Sequence, residues 1–144
     1  MPADTLATLL AVLETSPAMY LADSGIWSYP GDEELKLAIA DVVSDQRSIV
    51  DRAAAILAER EVATPQTGYP LSYTAWHDLD LRFLLPRIIA GMRRQLEGID
   101  GLLAAGGDDA AALELAGEAK SSTLAHIAVL EQQAARLGRP TAPA

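Results

Sequence analysis

The chain of 144 residues contains no cysteine, which excludes disulfides, thiolate nucleophiles and zinc–thiolate sites together. It has only two histidines, so a three-histidine metal centre cannot be built within one chain. Basic residues are scarce: eleven Lys and Arg stand against twenty Asp and Glu, a formal charge of -9. At that balance the phosphate attraction behind non-specific nucleic-acid binding becomes repulsion, and no nucleic-acid or anionic-lipid partner is expected. No stretch approaches the roughly 20 apolar residues of a membrane span. The apolar run from Leu6 to Leu13 has no basic residue before it and has Asp4 there instead, so it reads as a helix rather than a leader. A soluble, cytoplasmic protein is the expectation.

What the chain does contain is aliphatic. Half of its residues are hydrophobic and only 5% are aromatic, with Ala, Leu, Ile and Val supplying most of the apolar content. That mixture favours helices packed at close range, and an all-α protein is expected. One domain over residues 1–137 is of ordinary size, and "GRPTAPA" at 138–144 reads as a disordered tail.

Period and caps predict four helices. The first covers about residues 4–22, with Ser16-Pro17 marking a kink or a fresh start, because Ser caps well and Pro suits the first helical position. Asp32 opens the second, which has Glu33 and Glu34 in its first turn and ends near residue 61. The third covers about 74–104 and is bent by Pro86, and "AAGGDD" leads into the fourth at about 108–137. Apolar positions recur in steps of four and three: Leu6, Leu10, Leu13; then Leu35, Ile39, Val42, Gln46, Ile49, Ala53. The third stripe is Leu85, Ile89, Met92, Leu96, Ile99, Leu103, and the fourth runs from Ala112 through Thr123 and His126 to Leu137. A four-helix bundle is the economical way to bury four such stripes. With no strand predicted, neither a strand-linked phosphate loop nor a nucleophile elbow is expected.

The fourteen residues from Glu61 to Thr74 are the longest connection, whereas antiparallel neighbours usually need about 2–8. Extended at roughly 3.3 Å per residue, this stretch reaches about 46 Å, enough to follow a helix of about 28 residues. A crossover making the second and third helices parallel is therefore expected, with Trp27 and Trp76 at the same end. Tyr20, Trp27, Tyr29, Tyr69, Tyr73 and Trp76 fall in or beside the first two connections and are expected to close one or both ends of the bundle, where a small apolar ligand could bind.

Polar residues on the stripes are the candidate site. Gln46, Thr123 and His126 face the core, with Glu14 one position off its own stripe. A buried polar group without a partner costs on the order of 1–3 kcal/mol, so His126 is expected to hydrogen-bond to Gln46, Thr123 or Glu14. A one-residue shift of register would instead turn Asp45 and Ser48 inward and leave Asp45, Glu14 and His126 as a weak single-metal set. In "WHDLDL", His77, Asp78 and Asp80 read as a helix start whose carboxylates complement the exposed amides. Arg82, Arg87, Arg93 and Arg94 read as a solvated face balancing nearby acids.

The stretch "SDQRSIVDRAAAILAER" resembles the second helix of ferritin-like proteins, where a Glu-x-x-His pair precedes an acidic residue, an Arg and an apolar run. Gln46 and Ile49 stand at those two positions. In the fourth helix, an offset of 77 residues places Thr123 and His126 there. The resemblance covers about residues 4–137 and implies a ferritin-like four-helix bundle with a crossover between its second and third helices. Di-iron bundles of that kind use carboxylates to bridge two metals and histidines one turn away to complete the shell. With Gln46, Ile49 and Thr123 at three of the four positions, no metal and no cofactor are expected. The resulting expectation is a non-catalytic structural or interaction protein that self-associates as a homodimer. The alternatives are an oxidoreductase with a mononuclear metal at His126 and a small-molecule-binding bundle.

Overall fold

A computed structural model describes residues 4–24, 33–63, 69–70, 73 and 81–138. Those residues form five helices and no strand: α1 (Thr5–Leu13), α2 (Pro17–Ser24), α3 (Glu33–Glu59), α4 (Leu81–Ala105) and α5 (Ala110–Gly138). Residues 74–80, where the third predicted helix begins, and 139–144 of the predicted tail lie outside the described residues. No helix among the described residues is long and apolar enough to cross a membrane.

The helix boundaries follow local chemistry. Asp4 caps α1 by accepting from the Leu6 amide at 2.8 Å. Pro17 has no amide proton to continue α1, so the chain restarts there, and the Ser16 hydroxyl accepts from the Met19 amide at 3.2 Å. Of the two outcomes open at Ser16-Pro17, a fresh start is the one taken. α4 carries Pro86 within its second turn, and Gly106 follows its last residue with a φ of 69°, a left-handed turn that suits glycine. α3 ends differently. Glu61 adopts the left-handed conformation with a φ of 57°, while Val62 N–H bonds to Leu57 O at 2.9 Å and Glu61 N–H to Ala58 O at 3.1 Å. This is the double bond pattern of a Schellman ending with glutamate where glycine is usual.

Side-chain pairs set the helix directions. Between α3 and α5, Glu34 meets Gln133, Asp45 meets His126, Arg52 meets Glu118 and Arg60 meets Asp109, so the two helices are antiparallel. Arg93 with Glu131, and Asp100 with Lys120, make α4 and α5 antiparallel as well. α3 and α4 therefore run the same way, and the chain between them travels from one end of the helices to the other. α1 and α2 follow one another against both α3 and α4, with Asp4 beside Arg60 at one extreme and Pro17 against Gly91 farther along. A Cβ at position 91 would lie 2.8 Å from Pro17 Cγ, so glycine is what lets the α2 start approach α4.

At one end, Arg60 joins three helices. Its guanidinium sits 2.7 Å from the Asp109 carboxylate and 3.4 Å from that of Asp4. Asp109 also accepts from the Ala112 amide at 3.2 Å, so the start of α5 and the end of α3 share one ion pair. The hydrogen bond from Arg60 holds the Asp109 carboxyl below the usual carboxylate range.

Candidate functional site

The core has two apolar parts. One gathers Leu6, Leu9, Leu10 and Leu13 of α1 with Ala53, Leu57, Ile99 and the alanines of α5. The other gathers Ala18, Met19 and Leu21 of α2 with Ile39, Val42, Ile88, Met92 and Leu130. Between them lies a polar layer with one residue from each leg of the assembly: Ser16, Gln46, Gln95 and Thr123, none more than 3% exposed.

Three of these side chains form a chain of hydrogen bonds. The Ser16 hydroxyl donates to Gln46 Oε1, and Gln46 Nε2 donates to Gln95 Oε1 at 3.2 Å. Gln95 Nε2 in turn donates to Val12 O at 3.3 Å and Leu13 O at 3.4 Å. Those carbonyls lie in the last turn of α1 and also accept from the Thr15 and Ser16 amides at 3.3 and 3.1 Å, so Gln95 adds a side-chain donor that ties α4 to the end of α1. Sequence reasoning places Gln46 and Thr123 inward but misses Gln95 and Ser16. Gln95 adjoins Leu96 on the stripe, and the structure buries Gln95 while leaving Leu96 half-buried.

His126 is placed differently from the expectation. Its Nε2 lies 2.6 Å from Asp45 Oδ2, with the Ser122 hydroxyl 3.5 Å from the same oxygen. The α5 stripe passes from Thr123 to Ile127 and Leu130, which turns His126 toward the edge that meets α3. The His126 side chain is 13% exposed and that of Asp45 56% exposed. Asp45 reaches His126 without a register slip, because Gln46 remains inward. The expected partners thus give way to Asp45 for His126 and to Ser16 and Gln95 for Gln46. Glu14 stands at the C-cap of α1, two residues before Ser16. Among the described residues no group of three or more His, Asp or Glu converges on a point that could hold a metal ion.

The aromatic residues also need a correction. Tyr20 meets Tyr69 with ring centroids 5.1 Å apart and Tyr73 at 5.3 Å. Tyr73 donates its hydroxyl to Thr15 O at 2.8 Å, next to the polar layer. This group therefore sits on the flank at mid-height rather than at an end, because Tyr69 and Tyr73 pack beside Tyr20 and Thr15 there. Trp27, Tyr29 and Trp76, together with His77, Asp78 and Asp80, lie outside the described residues. Burial pushes the Tyr73 phenol up, and the nearby Arg94 guanidinium opposes the shift. Of the α4 arginines, Arg93 pairs with Glu131, Arg87 lies 4.3 Å over the Phe83 ring, and Arg94 turns toward Tyr73.

Comparison of the chain with family models, with curated proteins and with solved structures finds no match.

Proposed function

We propose that the chain is a ferritin-like bundle in which α1 and α2 together make the first leg, that it carries no dinuclear metal centre, and that its role is non-catalytic, structural or interactive. The parallel α3 and α4, joined by a long connection, support the ferritin-like topology. The observation that carries the functional reading is the Ser16–Gln46–Gln95 hydrogen-bond chain at mid-height. A dinuclear centre needs several carboxylates to offset the charge of two cations. Here the inward groups are neutral amides and hydroxyls, Ile49 has no donor atom, and the glutamine amides are already paired with one another and with backbone carbonyls. The residues do not fit a di-iron centre.

An interaction role, including self-association as a homodimer, is supported by large apolar side chains left in solvent on three helices. Leu37 is 68% exposed, Phe83 52% and Leu124 47%. Elemental analysis of untagged protein, combined with sedimentation equilibrium, tests the reading. The expected result is no stoichiometric iron, manganese or zinc and a species heavier than one chain. About two transition-metal ions per chain would overturn the non-catalytic reading, and a strictly monomeric species would overturn the homodimer.

A further inference from the structure

A groove of about 720 Å³ runs between α1 and α4 on the flank where Pro70 and Tyr73 cross. That volume is in the range of sites that enclose small organic ligands, roughly 300–1,000 Å³. Its walls are mixed, with Ala11, Val12 and Pro70 beside the polar Thr8, Thr15 and Tyr73. α1 presents Ala11 and Val12, and on α4 the Gly91 and Gly98 positions are closely met by Pro17 and Val12, where a Cβ would lie 2.8 and 3.1 Å away. The polar groups present are mostly engaged: the Tyr73 hydroxyl donates to Thr15 O, the Thr15 hydroxyl to Val12 O, and Gln95 Nε2 to Val12 O and Leu13 O.

Arg94 is different. One of its terminal nitrogens lies 3.5 Å from where a Cβ on Gly91 would be, so the guanidinium extends along the groove wall beside Tyr73. Arg52, Arg60, Arg93 and Lys120 each have a carboxylate within ion-pair distance, whereas Arg94 has none among the described residues. Arg87 also lacks one among the described residues, but its guanidinium lies over the Phe83 ring. A guanidinium offers five N–H donors in a planar fork, and the Tyr73 contact leaves donors for a second acceptor. A carboxylate matches that fork with two parallel hydrogen bonds. A polyphosphate or other multiply charged anion would need further cations and would be repelled by the acidic surface.

We propose that this groove binds a small amphipathic monocarboxylate, its carboxylate paired with Arg94 and its apolar body lying against Ala11, Val12 and Pro70. The probe is decanoate, titrated calorimetrically into the full-length protein beside its neutral analogue decanamide. Decanoate binds the wild-type protein, and binding weakens roughly tenfold or more for decanamide and for Arg94→Gln. Arg94 is exposed, so that variant retains the fold, which circular dichroism checks. Ala11→Leu, a helix-compatible change that fills the apolar part, weakens decanoate by a similar factor. Two results would overturn the assignment: no decanoate binding at about 1 mM, or equal binding of decanoate to wild-type protein and Arg94→Gln.

Discussion

The two apolar parts of the core are built from different side chains. Around α1, leucines at 6, 9, 10 and 13 pack with Leu57, Ile99 and Leu115 and with four small residues, Ala53 of α3 and Ala112, Ala116 and Ala119 of α5. Around α2, the packing surface is Met19, Ile39, Val42, Ile88, Ile89 and Met92, and Tyr73 enters it from the connection between α3 and α4. Large against small lets helix backbones come close and leaves neighbours with no flexible atoms to move into a gap. Branched and thioether side chains fill a wider space and can readjust. The first part should therefore tolerate truncation less well than the second.

The largest expected effect follows from that difference. Leu10→Ala, at a site with no exposure, should cost about 2–5 kcal/mol in urea unfolding, because it leaves a cavity in a part of the core that has no methionine among the described residues to refill it. Met19→Ala, at a site 7% exposed, should cost less. If Met19→Ala proves the more damaging, the contrast between the two parts is wrong.

Next in size is the layer that separates them. Gln46→Leu removes the acceptor of Ser16 and the donor to Gln95, and should cost about 1–3 kcal/mol. Because Gln46 and Gln95 share a hydrogen bond, Gln46→Leu and Gln95→Leu should combine to less than the sum of their separate costs. Strict additivity in the double-mutant cycle would show that the two glutamines act independently.

At the end of the α1 part, Asp109→Ala removes a helix cap and the Arg60 ion pair, and should cost about 1 kcal/mol at neutral pH. The Asp109 carboxyl is held below its ordinary value in the folded chain. Its contribution is therefore present above the unfolded carboxylate pKa, about 3.9, and is lost as pH falls through the depressed folded value. Stability profiles of wild type and variant should converge as the pH drops below about 4. A gap of constant size down to that limb would contradict the role assigned to Asp109.

The smallest effect is a gain. Glu61→Gly relieves a left-handed glutamate and should raise stability by about 0.5–1 kcal/mol, read as an upward shift of the melting temperature. A loss would mean that the Glu61 side chain contributes more than its backbone costs.

Local chemistry in the chain was enough to specify the all-helical class, an interruption at Ser16-Pro17, and a long connection compatible with parallel α3 and α4. Each depends on a residue type acting within a few positions, or on a length, and so can be read without knowing the neighbours. The inward direction of Gln46 and Thr123 followed from the same period. Adjacent positions at the edge of a stripe did not. Successive residues on a helix are only about 100° apart, so Gln95 and Leu96, or His126 and Ile127, both fit a wide apolar face. Packing resolved each case. The end of α1 packs where the Gln95 side chain reaches both its last carbonyls and Gln46, and the placement of α3 beside α5 turns His126 toward Asp45. The flank position of Tyr73 depends in the same way on where its ring and hydroxyl meet Tyr20 and Thr15. Which helix lies on which side is a property of the assembled chain, because it is set by the joint burial of all the stripes at once and by no single segment.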